Sequence, residues 1–422
     1  MLPADRPRVP RRTPAACDEH PGPTVLDLFA GAGGLSEAFA QAGYRIVAAV
    51  ERDEDAAATY AANFGPIVTC SPIGDWLAAG DVPLVDVVVG GPPCQGFSAL
   101  GRQDPDDPRN RLWNDYVDTV VLARPRHFVV ENVEQFSDNT QYRALKSETG
   151  PGGRLADYRI TMDVLDAADF GAPQRRKRTI IIGFRDDVDP IDLNNLDRVD
   201  RHRTVQDAFE ERGVVQQVRY RDLNTLDRPG LPRQAGSLRV AGPFLSTELH
   251  VDRTYRGNSL ERFAHIPEGG NRFNLPDRLK SDCWLKHTTG SGDVMGRLHW
   301  NRPSVTIRTE FTKPEKGRYL HPAENRAITI YEGAVLQGFP DDYLWMGSRT
   351  SITKQIGNAV PIPLGRAIAN LISGALEGTD ESRGGDPAVA QVVSLSWHRS
   401  KGADDRLAPS RAPDDGDQPV AL

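Results

Sequence analysis

Thr24-Val25-Leu26-Asp27-Leu28-Phe29-Ala30-Gly31-Ala32-Gly33-Gly34-Leu35-Ser36 is the stretch whose reading decides the fold. Val25 to Phe29 is a short, almost continuously apolar strand. Three glycines within four residues then turn the chain sharply, and Leu35 to Ala42 carries a helical pattern. A strand delivered through a glycine turn into a helix is the first half of a strand-helix-strand unit. The same alternation continues outward. Arg45 to Val50, Val85 to Val89 and His127 to Val130 are β-branched runs, and Ala56 to Asn63 is a helical segment between two of them. Apolar strands alternating with helices predict an α/β fold, a doubly wound and mostly parallel sheet covered on both faces.

After Phe184 the alternation stops. Apolar residues thin out up to about Trp300, Gly and Pro become frequent, and short strand-like pieces predict a second, smaller and irregular domain. Helical periodicity returns in Ile328 to Leu336 and Pro363 to Leu376, which read as helices rejoining the first domain. The expected organisation is a flexible tail over 1–23, a ligand-binding domain begun by 24–185, the irregular domain over 186–300, a return segment over 301–376 and a flexible tail over 377–422. A chain of 422 residues exceeds one ordinary core, which agrees with two domains.

A hydrophobic content of 39% without an apolar run near the roughly 20 residues of a bilayer span excludes a membrane protein. Met1 to Pro14 has Arg and Pro but no apolar core, so no secretory signal is read and a cytoplasmic location is expected. The four cysteines, Cys17, Cys70, Cys94 and Cys283, have neither zinc spacing nor a disulfide framework, so no metal is expected. Cys17, Cys70 and Cys283 read as tail or small core residues. The net charge of -7 argues against a polyanion partner in bulk, but its distribution does not. Acids crowd the C-terminal tail, whereas Arg175, Arg176, Lys177 and Arg178 cluster. Arg219, Arg221, Arg228, Arg233, Arg239, Arg253 and Arg256 recur between Arg212 and Arg262; a solvated surface explains such a run equally well.

Ligands of an open parallel sheet bind beyond the carboxyl ends of its strands. The first strand ends in Phe29-Ala30-Gly31-Ala32-Gly33-Gly34, the second in Glu51, the next in Gly90-Gly91-Pro92-Pro93-Cys94, and the last in Glu131-Asn132-Val133. Ser36 stands where a dinucleotide fingerprint has its third glycine, which disfavours a nicotinamide cofactor. Glu51 suits a ribose diol, so an adenosine-containing ligand without pyrophosphate fits better. The glycine turn alone reads equally well as structural punctuation. Two prolines stiffen the approach to Cys94, a setting that presents a thiol, although a lone cysteine is more often structural. Arg159 to Leu165 and Thr179 to Phe184 read as two strands; if the first is parallel to the others, the second returns antiparallel, and Arg176 and Arg178 face Cys94.

Asp27-Leu28-Phe29-Ala30-Gly31-Ala32-Gly33-Gly34, Gly91-Pro92-Pro93-Cys94-Gln95-Gly96-Phe97-Ser98, Glu131-Asn132-Val133, Gln174-Arg175-Arg176-Lys177-Arg178 and Gln355-Ile356-Gly357-Asn358-Ala359-Val360 together resemble, in order, the signature blocks of cytosine-5 DNA methyltransferases. The resemblance covers about Thr24 to Phe184 and Asn301 to Ser373. It implies a Rossmann-like methyltransferase domain, with 186–300 as the target-recognition domain. It further implies that Phe29, Gly31, Gly33, Gly34, Glu51, Asp75, Pro92 and Asn358 form the side that holds S-adenosylmethionine. Cys94 is then the nucleophile, Glu131 the acid at ring nitrogen 3, and Arg176 and Arg178 hold the nucleotide and the catalytic residues. Arg302-Pro303-Ser304 resembles the support of the recognition domain. Arg52 departs from the family's frequent aromatic residue, and Tyr331 from its commonly basic one.

The implied activity is methyl transfer to carbon 5 of cytosine in a specific DNA sequence, releasing S-adenosylhomocysteine. The base is turned out of the duplex, with the Gln95 to Asn110 loop closing over the DNA. Double-stranded DNA is the expected partner of a monomeric prokaryotic enzyme, and a cognate restriction endonuclease remains open. An RNA (tRNA) cytosine-5 methyltransferase on the same scaffold is the alternative.

Overall fold

The computed structural model describes residues 22–93, 108–138, 140–214, 219–220, 240–286 and 289–382. Seven strands form the main sheet: β1 (Thr24–Leu28), β2 (Arg45–Glu51), β3 (Val68–Cys70), β4 (Val87–Gly90), β5 (His127–Val133), β6 (Tyr158–Asp166) and β7 (Lys177–Arg185). Their order is β3-β2-β1-β4-β5-β7-β6. The first five are parallel, and β7 is antiparallel to both β5 and β6. β6 therefore runs with the parallel set and β7 returns, as the strand pair on either side of the basic cluster predicts. The order reverses between β1 and β4, and it is at such a reversal that an open sheet leaves a crevice for ligands.

The central strands are mostly apolar because both faces of the sheet are covered there. Val25, Val87, Val89, Val129, Ile180 and Ile182 pack on one face, against Leu364, Ile368 and Ile372. The alternate residues Leu26, Leu28, Val88, Phe128, Val130 and Ile181 pack on the other, against Trp113, Tyr116, Val117 and Val120. This period of two places successive side chains on opposite faces. The helices concerned are α1 (Gly34–Gln41), α2 (Glu54–Phe64), α3 (Ile73–Ala79), α4 (Pro108–Ala123) and α5 (Thr140–Glu148).

Between 186 and 300 the structure is irregular. It contains α6 (Val205–Glu211), the parallel pair β8 (Arg219–Tyr220) and β10 (Val251–Asp252), α7 (Gly257–Ala264) and the short α8 (Asp282–Lys286). β9 (Phe244–Leu245) pairs antiparallel with β11 (Leu344–Trp345), which carries the chain back towards the sheet with α9 (Ile330–Gln337), α10 (Arg349–Asn358) and α11 (Ile362–Ser382). A small core of Phe263, Ile266, Leu275, Leu279, Met295 and Leu320 supports this part. Arg297 is 3% exposed and holds it together, donating to the carbonyls of Phe263, Ile266, His321 and Glu324. No single described helix is long and apolar enough to cross a membrane. α11 is apolar because Leu364, Ile368, Ala369, Ile372 and Leu376 are buried in the core.

One reading of the sequence is corrected: Cys70 and Cys283, expected in the core, are exposed. Of the arginines in the arginine-rich stretch, Arg253 and Arg256 are exposed, and Arg262 turns inward, donating from Nε to the Leu279 carbonyl at 2.7 Å. Residues 221–239, and with them Arg221, Arg228, Arg233 and Arg239, lie outside the described residues, as does the Arg219 side chain.

Candidate active site

The glycine turn joins β1 to α1. Phe29 has φ 55°, a left-handed conformation that costs a side chain of its size about 1–3 kcal/mol. Gly31 (φ 55°) and Gly33 (φ 88°) continue it. The Gly31 amide donates to Glu51 Oε2 at 2.8 Å, and the Asp53 amide to Glu51 Oε1 at 2.7 Å. Glu51 is thus oriented by the backbone, and each carboxylate oxygen keeps a lone pair for a hydroxyl group. Burial raises its pKa, against the lowering effect of those amide bonds. A methyl group at Gly31 would meet nothing within 4 Å. The turn therefore borders open space on that side, which fits a backbone that a ligand approaches closely.

Ser36 makes sense of the missing third glycine. α1 has no local side-chain cap at Gly33. At the start of the helix Ser36 Oγ donates to Asp27 Oδ2 of β1 at 2.6 Å, and it also meets Tyr60 Oη of α2 at 2.6 Å. The Asp27 carboxyl is pushed up to about 7 by burial, with the Glu51 charge adding and the Ser36 bonds opposing. The native state therefore holds a proton between about pH 4 and 7 that the unfolded chain releases, so stability from this group is present at low pH and lost as pH rises through about 7. In Asp27→Asn this loss should vanish. Melting temperatures from about pH 5 to 8 check it, and a variant as pH-dependent as the parent contradicts the assignment.

The return segment closes the same turn from the far side. Tyr343 Oη donates to the Ala32 carbonyl. A side-chain carbon at Gly34 would lie 3.1 Å from Ala359 Cβ and from the Val360 carbonyl. Asn358, exposed at the end of α10, is next to that contact. Asp75 is exposed in the first turn of α3, whose approach is fixed by the Ser71 amide donating to the Glu51 carbonyl at 3.1 Å. At Gly33 a methyl group would come within 2.6 Å of the Phe64 ring and 3.0 Å of Tyr343 Oη. Gly33→Ala should therefore cost about 2–4 kcal/mol, left-handed strain plus overpacking, against about 1–2 for Gly31→Ala. Thermal melting of the two variants measures the difference; equal losses would contradict it.

The second half of the site lies at the ends of β4, β5 and β7. Glu131 of β5 is 12% exposed, and its Oε1 lies 2.7 Å from Nε of Arg178 on β7. The pair is an ion pair without hydrogen-bond alignment, so the buried Oε1 has no hydrogen-bond partner among the described residues. Gly91 lets the carboxyl group lie against the backbone, since a methyl group there would be 3.1 Å from Glu131 Oε2. Asn132 Nδ2 donates to the carbonyl of the buried Pro92 at 2.9 Å and ties the exit of β4 to β5. Cys94 follows two residues later and lies outside the described residues, with the loop up to Asp107.

Arg176 is 3% exposed and does not present its guanidinium to solvent. Nη1 donates to the Ile307 carbonyl at 2.9 Å and Nη2 to the Gly357 carbonyl at 3.1 Å, leaving Nε without a partner among the described residues. Burial and the Arg178 charge pull its pKa down to about 9, with Glu131 opposing, so it is a cation at neutral pH. It joins the base-side strand β7 to Gly357, next to Asn358. Gln174 acts beside it: the Ile307 amide donates to its Oε1 at 3.0 Å, and its Nε2 donates to Gln337 Oε1 at 2.7 Å. Gln174, Asn132 and Asp27 fall inside the signature blocks without a role assigned from the sequence, and Tyr60 is not singled out there. A charge inside an apolar strand marks Asp27; nothing local marks the others. Arg52 is exposed, whereas Tyr331, in the usual place of a base, donates to Asp341 Oδ1 at 2.9 Å.

The candidate site thus has two parts, the glycine turn with Glu51 and the Glu131–Arg178 pair, with Arg176 between Ile307 and Gly357. Residues 23–374 match the family model described as C-5 cytosine-specific DNA methylase. The Type II methyltransferase M1.HphI of Haemophilus parahaemolyticus is 34% identical over 362 residues, 83% of this chain and 86% of the relative. The Type II methyltransferase M.DdeI of Desulfomicrobium norvegicum is 29% identical over 398 residues, 88% of this chain and 94% of the relative. Among solved structures, one titled as a DNA modification methyltransferase encoded within an E. coli prophage aligns with a TM-score of 0.63 at 25% identity, covering 84% of this chain and all of that one. The chain belongs to the C-5 cytosine-specific DNA methylase family.

Proposed function

We propose that the chain methylates carbon 5 of a cytosine turned out of duplex DNA, using S-adenosylmethionine and releasing S-adenosylhomocysteine. Phe29, Gly31, Gly33, Gly34, Glu51, Asp75, Pro92 and Asn358 hold the donor, Cys94 is the nucleophile, and Glu131, Arg176 and Arg178 serve the base. The observation that carries this reading is the buried Oε1 of Glu131, ion-paired with Arg178 Nε at 2.7 Å, on the strand whose Asn132 holds the Pro92 carbonyl two residues before Cys94 in the chain. When bound, the donor supplies an electrophilic methyl group. Carbon 5 is too weak a nucleophile unaided, so the Cys94 thiolate adds to carbon 6 and makes the ring electron-rich. The Glu131 carboxyl group meets ring nitrogen 3 and stabilises the charge that develops there, oriented by Arg178. Loss of the carbon 5 proton and expulsion of the thiolate restore the ring and the enzyme.

Residues 186–300 are the region we assign to target recognition, with a monomer acting in the cytoplasm. The naming of the relatives as Type II methyltransferases supports a DNA substrate. Incubating the protein with labelled donor and either duplex DNA or transfer RNA tests it. Label in DNA alone is expected; label in transfer RNA alone would replace this reading with the RNA one.

A further inference from the structure

The loop into β7 and the start of the return segment lie side by side, and their outward faces are not used by the site. Gln174 and Ser304 form a parallel bridge. The Arg175 amide donates to the Ser304 carbonyl at 2.8 Å, and Thr306 Oγ1 donates to the Arg175 carbonyl at 2.9 Å. The inward side chains are buried: Gln174 is 0% exposed, Arg176 3%, Ser304 1% and Ile307 0%. Arg175 on one segment and Arg302 and Arg308 on the other are exposed.

None of the three makes an ion pair among the described residues. Acids on flanking segments already have cations: Glu134 has Lys177 at 3.5 Å, Glu131 has Arg178 at 2.7 Å, and Glu310 has Lys313 at 2.5 Å and Lys316 at 3.4 Å. Three exposed guanidinium groups without an ion pair among the described residues leave a local excess of positive charge, which suits an anionic partner. Arg302 and Arg308, six residues apart, are separated by at most about 22 Å, a span matched by several phosphates of a duplex. The ribbon ends three residues after Arg175 at Arg178, the partner of Glu131, so anything lying along it passes the base pocket.

We propose that Arg175, Arg302 and Arg308 form a ridge that contacts the phosphates of duplex DNA beside the flipped cytosine, fixing the duplex independently of sequence. The ridge rests on the reading of duplex DNA as substrate. Guanidinium groups suit this role because they stay charged and bind phosphate in a fork. Such contacts position the duplex and carry no sequence information.

The test is the affinity for a short mixed-sequence duplex between about 50 and 200 mM salt, measured for the whole protein. Each arginine-to-alanine variant should lower the slope of log affinity against log salt by about 0.9, and the triple variant by about 2.7, three times 0.9. Arg175→Lys, Arg302→Lys and Arg308→Lys together should keep the parent slope, as should Arg45→Ala at the opposite edge of the sheet. Melting temperature and donor affinity should not change in any of them. A triple alanine variant with the parent slope overturns the ridge alone, as does a triple lysine variant that loses it. A parent protein whose duplex binding shows no salt dependence would overturn the DNA reading as well.

Discussion

Replacing Cys94 with serine abolishes methyl transfer while leaving donor binding intact. The substitution changes one atom, so packing and charge around it hardly alter. What changes is acidity. A thiol titrates near pH 8.5 and yields thiolate at neutral pH, whereas an alcohol does not, and the thiolate is what adds to carbon 6. Losing a covalent nucleophile costs on the order of 10⁴-fold or more in kcat. The proposed donor residues, Phe29, Gly31, Gly33, Gly34, Glu51, Asp75, Pro92 and Asn358, do not include Cys94. Single-turnover kinetics and donor titration by calorimetry separate the two effects. Turnover within about tenfold of the parent would reject the nucleophile.

Glu131→Gln is the second large effect. The amide keeps the shape and place of the carboxyl group 2.7 Å from Arg178 Nε and can still reach a ring nitrogen. It has no acidic proton to place there, so stabilisation is lost only as charge develops. A drop of about 10²–10⁴-fold in kcat, with KM for DNA within a few-fold, is expected. Glu131→Ala should fall further, because it also leaves the half-buried Arg178 without its partner at 15% exposure. Steady-state kinetics on duplex DNA check both. A glutamine variant with the parent kcat would mean that Glu131 merely orients Arg178.

The parts of this molecule that are legible in the sequence are those that lie in one short run at a strand end. Asp27 to Gly34, Glu51, Gly91 to Cys94 and Glu131 to Val133 announce themselves because a parallel sheet puts all carboxyl ends on one edge. The antiparallel return of β7 also follows, since the basic cluster must sit in the loop before it. β3 is invisible, being three residues of half-exposed or exposed edge strand with no apolar pattern to read.

Long-range partners are not legible either. Tyr343 with Ala32, Arg176 with Gly357 and Gln174 with Gln337 are 311, 181 and 163 residues apart. No local periodicity encodes such pairs; they exist because the return segment is folded back on the glycine turn. Arg262 and Arg297 are likewise unmarked in sequence: they close the carbonyls of an irregular backbone, which lacks the ladders that would otherwise satisfy them.

The central claim is methylation of cytosine carbon 5 through Cys94. Bisulfite sequencing of DNA from cells producing the chain, beside cells producing Cys94→Ser at equal levels, tests it most directly. Cytosines of one short sequence context should resist conversion with the parent chain and convert fully with the variant. Full conversion in both, or protection that persists with serine at position 94, would contradict it.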